Sequence, residues 1–368
     1  MKKRVLIVAS GGLDKSGVPS VIMTIVRQLR QEYAFDILLS ARDTGYFEQE
    51  FLDCGGRIFR YKKKRFSIGV LNTLADFFRP VSLYFITRRT LAREGPYHAV
   101  HCHNEFDMAG SLAAAAARGV PLRIGHVHKT WAGRGGPLTR AYRFLCRKAI
   151  NACATARLGC SSQANAAFYG AEASAQAVNN PYDETRFFPD AGETAENGDI
   201  RMVQVGYFCD NKNQRFTVEV LAELLKMGRD ARLCLAGDAR GAYGKALEEE
   251  IRAWGLQDRV TLLPPDTDIP ALMKKSNLLL LPSRAEGFGM VLIEAQAVGL
   301  SCYASDTVPR ETNLGGVKYL PLAAGPRAWA ETIAAEKSFA RRIPRDCGAF
   351  STDAFANAIR EAYRIKNA

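Results

Sequence analysis

Four consecutive leucines, Leu278 to Leu281, are followed at once by Pro282 and Ser283, and then by Glu286-Gly287-Phe288-Gly289. A short apolar run bounded by turn residues reads as a strand buried on both faces of a parallel sheet. From about Phe288 the pattern turns helical, and Gly299 stands where a helix C-cap is expected. The unit is strand, glycine-bearing turn, helix. A chain that contains it must bury that strand in an α/β layer, because a parallel strand needs cover on both faces. The first amides of such a helix lack backbone partners and face the turn, so an anion, a phosphate above all, fits there.

The same unit recurs. Arg4–Ala9 reads as a strand, Ser10 to Gly17 as a glycine-rich loop, and Val18–Arg30 as a helix. The loop is not GxGxxG and no acidic residue follows at the right distance, so a dinucleotide fingerprint is unsupported. Further strands are expected at 35–40, 57–61, 99–104, 123–130 and 157–161, then at 201–205, 232–236, 260–263 and 301–305. Helical pieces are expected at about 46–54, 68–93, 138–153, 242–254 and 352–365, with one more ending near Met227. This alternation fits two doubly wound domains, and 368 residues supply two cores. Residues 184–199 are polar, carry Pro189, Gly192 and Gly198, and read as a linker.

Charge is divided unevenly. Residues 1–180 hold 26 Lys and Arg against 12 Asp and Glu, whereas residues 181–368 hold 24 against 26. The net +12 therefore belongs to the first half, which points to an anionic partner. The densest run is Arg57, Arg60, Lys62, Lys63, Lys64 and Arg65 with Phe59, Tyr61 and Phe66 interleaved. An aromatic and arginine-bearing helix follows it. That composition suits an anionic bilayer surface, a solvated face over core aromatics being the plainer reading. No nucleic-acid module accompanies it. The nine cysteines contain no CxxC pair, which argues for a reducing compartment. No apolar run approaches the roughly 20 residues that span a bilayer. The apolar part of Met1–Ala9 is too short for a signal peptide.

Two carboxylates accompany the central turn. Glu286 lies just before the helix and Glu294 about two turns in, so they can address different parts of one ligand. Glu294 sits among Leu292, Ile293 and Ala295, where an unpaired charge is costly. Two HxH pairs, His101/His103 and His126/His128, also stand out. Residues two apart on a strand share a face. The four could converge as a metal site or line a ligand cleft; the remaining histidine, His98, reads as structural.

Glu286-Gly287-Phe288-Gly289 through Glu294-Ala295 resembles the Glu-x7-Glu motif of retaining family 4 glycosyltransferases. The resemblance implies an α/β GT-B fold: two Rossmann-like domains facing a central cleft, with the last helix returning to the first domain. The layout expected is an acceptor-side domain over 1–183, a linker over 184–199, a nucleotide-sugar domain over 200–350, and a returning helix over 351–368. It implies a sugar contact for Glu286 and a ribose contact for Glu294. Amides of Gly287, Phe288, Gly289 and Met290 would hold the sugar and diphosphate, as would a loop carrying Gly12 and Gly17. His128 matches a family histidine close to the donor sugar, with His126, His103 and Asn104 as weaker cleft-wall candidates. Lys212 matches the lysine that grips the diphosphate. The arginine that usually accompanies it is replaced by Tyr207, so Arg201, Arg215 or Arg284 would have to substitute, or donor binding would be weakened. Asn180-Pro181-Tyr182 departs from the usual Asn-Gly-(Val/Ile).

The implied reaction moves a hexosyl unit from a nucleoside-diphosphate sugar, UDP-linked by preference, to a hydroxyl with retention. No cofactor and no metal are expected. The acceptor expected is a polyprenyl-diphosphate-linked glycan or a saccharide, in bacterial exopolysaccharide or capsule synthesis at the inner face of the membrane. A nucleotide-sugar epimerase of the same fold, or a non-catalytic sugar-nucleotide-binding homologue, are the alternatives.

Overall fold

A computed structural model describes residues 2–40, 44–61, 77–129, 136–189, 199–344 and 347–364. The chain divides into two compact units, residues 1–181 with 352–368, and residues 182–351.

The first unit runs β1 (Lys3–Ala9), α1 (Gly17–Leu29), β2 (Tyr33–Leu39), α2 (Glu48–Asp53), β3 (Arg57–Arg60), α3 (Arg79–Glu94) and β4 (Ala99–Cys102). It continues with α4 (Met108–Ala117), β5 (Leu122–Val127), α5 (Pro137–Cys153), β6 (Ala156–Gly159), α6 (Ser162–Tyr169) and β7 (Gln176–Ala177). The sheet is parallel with order β3-β2-β1-β4-β5-β6-β7. Val5 to Val8 are wholly buried, as a strand covered on both faces requires. Helix α1 presents Ile22, Ile25, Val26 and Leu29 to this core, spaced three and four apart. The last helix, α12 (Thr352–Ala362), lays Phe355, Ala356 and Ile359 on the same core. Burying each large side chain there contributes roughly 1.5–3 kcal/mol. Tyr363, just past α12, has no exposed surface.

Part of the basic run has internal partners. Arg57 and Arg4 converge on Asp36 at 2.8 and 2.5 Å, where Tyr97 also donates at 2.6 Å. Arg60 pairs with Glu48, and Tyr61 is buried. Arg57 and Arg60 are both exposed, yet each also neutralises a buried carboxylate. Lys62 to Arg65, Phe66 and the start of the helix expected from Ile68 lie outside the described residues, as do residues 190–198 of the linker. The described part of that helix is α3.

The second unit runs β8 (Ile200–Val205), α7 (Gln214–Lys226), β9 (Ala231–Ala236), α8 (Ala242–Ala253), β10 (Val260–Leu263), α9 (Ile269–Lys274) and β11 (Leu278–Leu281). After these come α10 (Met290–Ala297), β12 (Ser301–Ser305), β13 (Val317–Leu320) and α11 (Gly325–Ala334). The parallel order is β10-β9-β8-β11-β12-β13. Helix α9 and strand β13 were not legible in advance, being six and four residues long with no clear period. Helix α10 starts later than expected because Gly289 takes a φ of +89° as its N-cap. A Cβ there would also meet Val308 Cγ1 at 3.2 Å.

In each sheet the strand order reverses once, between β1 and β4 and between β8 and β11. Ligands of open α/β sheets bind outside the carboxyl ends of the strands at such reversals.

Candidate functional site

The reversal in the second unit carries two loops. One follows β8 and spans Gly206 to Asn213; the other follows β11 and spans Pro282 to Gly289. Lys212 lies on the first and Glu286 on the second, and Lys212 Nζ donates to Glu286 Oε1 at 2.6 Å. Ser283 Oγ donates to the same carboxylate oxygen at 2.6 Å. Both side chains keep some solvent contact, 24% for Lys212 and 10% for Glu286, so a ligand can reach them. An ammonium has three donors. Glu286 is the only partner of Lys212 among the described residues, so two donors are left for an anion.

The sequence conceals how this pair is held. Buried Gln204 of β8 donates to the Lys212 carbonyl at 2.7 Å and accepts from Thr217 at 2.6 Å. The two loops are laced together. Asn211 Nδ2 donates to the Ala285 carbonyl, Arg284 N to the Asn211 carbonyl and Asn213 Nδ2 to the Pro282 carbonyl. Asn213 takes a φ of +57°, a left-handed conformation that asparagine tolerates better than most residues. From β12, Ser305 and Thr307 both donate to the Ser283 carbonyl. Gln296 Nε2 donates to the Leu292 and Thr312 carbonyls, and its Oε1 accepts from Leu314 and Gly316. That ties α10 to the chain leaving β12. None of these amides and hydroxyls has a sequence signature; only the hydrogen bonds they make single them out.

Gly287 to Met290 lead into α10, which has no acidic residue in its first turn. The amino end therefore keeps its partial positive charge. On the same helix, Glu294 has no hydrogen-bond partner among the described residues. Burial is the main influence on its carboxyl and pushes the pKa up to about 7, with Arg186 pulling it down and Asp183 up. A half-buried carboxylate without a protein partner is open to hydrogen-bond donors from a ligand.

The position of Tyr207 is solvent-facing, with 65% of the side chain exposed. None of the three arginines considered as substitutes is idle at the site. Arg201 is the second residue of β8, at the opposite end from the loops, roughly 13 Å along the strand. Arg215 pairs with Glu219 and Glu250, and Arg284 Nε donates to the Asp210 carbonyl. Lys212 is thus the cation in contact with Glu286, while Arg284 on the second loop is exposed.

In the first unit, Gly12 lies in the β1–α1 loop and Gly17 is the first residue of α1. The residue that needs to be glycine is Gly11, at φ +87°. The two HxH pairs do converge. His101 Nε2 lies 3.3 Å from His126 Nδ1, and His103 Nδ1 lies 2.8 Å from His128 Nε2. Burial lowers the His128 pKa to about 4 and those of the other three well below the ordinary value. All four are neutral at physiological pH. Asn104 is buried with both side-chain polar atoms unpaired. His98 bonds the Tyr363 carbonyl at 2.9 Å, a structural role.

Comparison with known proteins places these features. The family described as "Glycosyl transferases group 1" matches residues 189–314, and the family "Glycosyl transferase 4-like domain" matches residues 16–179. The "Putative glycosyltransferase EpsF" of Bacillus subtilis is 32% identical over 349 residues, covering 90% of this chain and 87% of that protein. The "GDP-mannose:cellobiosyl-diphosphopolyprenol alpha-mannosyltransferase" of Xanthomonas oryzae is 31% identical over 134 residues, 36% of this chain and 34% of that one. Among solved structures, Anabaena Alr3699/HepE in complex with UDP-glucose superposes with a TM-score of 0.74 at 18% identity, covering 97% and 98% of the two chains.

Proposed function

Since the chain belongs to the family 4 glycosyltransferases, with the GT-B fold, we propose that it moves a hexosyl unit from a UDP-sugar to a saccharide or polyprenyl-diphosphate-linked acceptor, with retention. The observation that carries this reading is the Lys212–Glu286 pair at the strand-order reversal, beside the amino end of α10. Lys212 and the first amides of α10 neutralise the leaving diphosphate. Glu286 orients the sugar hydroxyls, Glu294 accepts from the ribose, and neutral His128 contacts the donor sugar. No side chain is needed as a nucleophile, and no metal or cofactor is called on. The UDP-glucose complex of the Anabaena protein speaks for a UDP-sugar, the Xanthomonas relative's name speaks for a GDP-sugar, and that same name supports a lipid-linked acceptor.

A panel of UDP- and GDP-sugars in a thermal-shift assay tests the donor. At about 100 times its Kd the true donor stabilises by about 2.7 kcal/mol, a rise in Tm of about 5 °C or more. Release of free UDP only when a saccharide acceptor is added supports transfer. An isomerised sugar without acceptor would favour an epimerase. Binding without turnover on any acceptor would favour a non-catalytic protein, the reading that Tyr207 motivates.

The first unit offers a surface for a lipid-linked acceptor. Phe78, Val81 and Phe85 of the α3 region and Leu138, Phe144 and Leu145 of α5 are exposed. Arg88, Arg89, Arg140 and Lys148 stand beside them, also exposed. The two helices meet where Phe77 packs on Tyr142, with ring centroids 5.0 Å apart. Among the described residues no helix is long and apolar enough to cross a membrane. Peripheral attachment at an anionic inner membrane face follows from this patch. Cosedimentation with phosphatidylglycerol vesicles at moderate salt is the check. Wild-type protein pellets, and Phe85→Ser/Leu145→Ser loses most of the binding; equal recovery of both in the supernatant removes the membrane from the proposal.

A further inference from the structure

We propose that His101, His103 and His126 form a binding site for one zinc-class divalent transition ion, enclosed in the first unit between β4, β5 and the segment following α12. One ring nitrogen from each of the three lies within 4.8 Å of the other two. His101 and His126 have no exposed surface, and His103 only 5%. The register explains the convergence: β4 and β5 are adjacent and parallel, with Cys102 opposite Gly125, so the next residues along, His103 and His126, come side by side.

The hydrogen bonds already favour ligation. His101 Nδ1 is 2.9 Å from Tyr363 Oη, and His103 Nδ1 is 2.8 Å from His128 Nε2. In both rings Nδ1 is tied to a fixed partner and Nε2 is turned over to something else. Metal-ligating imidazoles carry this arrangement, the second nitrogen fixing tautomer and ring orientation. His103 Nε2 is buried without any hydrogen-bond partner. Buried polar atoms in that state call for a ligand. A four-coordinate ion with bonds of about 2.0–2.1 Å needs its nitrogens about 3.4 Å apart. His101 Nε2 and His126 Nδ1 are already at 3.3 Å, in a hydrogen bond that the ion would replace, and a small shift of the His103 ring that keeps Nδ1 on His128 supplies Nε2 as the third.

The donor set selects the ion. Three imidazoles without a carboxylate suit zinc, cobalt, nickel or copper and not magnesium or calcium. Three neutral imidazoles leave the ion's charge unbalanced, so a hydroxide would be the favoured fourth ligand. The ion acts as a clamp. It pins the Tyr363 segment to the sheet through His101, and it fixes the ring of His128 through His103.

The test uses the full chain, with any affinity tag removed, purified without chelator. Elemental analysis is expected to find about one zinc-class ion per chain, or the stripped protein to take up one Zn²⁺. Zn²⁺ raises Tm, chelator reverses it, and Co²⁺ loading gives the visible bands of a low-symmetry nitrogen site. His126→Gln and His101→Gln each weaken Zn²⁺ binding by more than the roughly 10–100-fold that loss of an outer partner causes. His98→Gln, outside the set, leaves it unchanged. Should either ligand variant fail to fold, Zn²⁺ titration of stripped wild-type protein still decides. A stripped chain that neither binds Zn²⁺ nor shifts in Tm overturns the site. So does an ion kept at full affinity by a folded His126→Gln, which would mark adventitious surface binding.

Discussion

Lys212→Ala lowers kcat/KM by about 100- to 1,000-fold, with most of the loss in kcat. The ammonium donates at 2.6 Å to Glu286, which lies just before the amino end of α10. Negative charge on the departing diphosphate grows as the glycosidic bond breaks. A cation already in place stabilises the transition state more than the bound donor, so its removal falls on kcat. The usual neighbouring arginine is replaced by exposed Tyr207, so no second cation on that loop shares the load. Removing the lysine leaves the Glu286 carboxylate with Ser283 as a donor, costing about 1–3 kcal/mol of stability at most. The fold survives, and Tm together with steady-state kinetics separates the two effects. A kcat/KM within threefold of wild type would remove Lys212 from the chemistry. Lys212→Arg is expected to recover little, because a planar guanidinium cannot replace a point charge held at this distance from Glu286.

Legibility differed between the two halves of the site. The strand, turn and helix from Leu278 to Ala297 were readable because local patterns dictate them: an uninterrupted apolar run, then glycine, then helical period. Lys212 and Glu286 were found by their match to a family motif. Their contact across 74 residues of sequence was invisible until β8 and β11 were paired. The bracing shell was not readable at all. Gln204, Gln296, Ser305 and Thr307 are ordinary polar residues in sequence, and become distinctive only through the hydrogen bonds they make. Charge was the least transferable signal. Arg57 and Arg60 belonged to the densest basic run yet serve Asp36 and Glu48 inside the first unit. A charge count cannot tell a surface cation from one with an internal partner. The paired histidines lie between these cases: alternation put each pair on one face, but only the parallel register of β4 with β5 brings the pairs together.

Glu294 gives the protein a pH dependence of definite sign. Its carboxyl titrates at about 7 in the folded chain, against an ordinary value of 4.5, because burial disfavours the charge. The folded state therefore binds a proton more tightly than the unfolded one. Stability is lowest above pH 7, where the unpaired carboxylate is ionised, and rises as pH falls through 7 toward 4.5. Glu294→Gln removes the penalty. It is expected to be more stable than wild type at pH 8 by about 1–3 kcal/mol, allowing for the residue's partial solvent contact, and the difference closes by pH 5. Donor binding runs the other way. Ribose hydroxyls donate best to the ionised carboxylate, so affinity for a UDP-sugar weakens up to about tenfold per pH unit below 7 and levels off above it. A UDP-sugar is the right probe, since its diphosphate diester does not titrate in this range. At pH 6.5 binding expels a proton from Glu294, which calorimetry in buffers of different ionisation enthalpy detects. Glu294→Gln binds more weakly at pH 8 and loses the proton release. A Kd constant from pH 6 to 8 in wild type would mean that the ribose does not reach this carboxylate, and that the nucleotide lies elsewhere along α10.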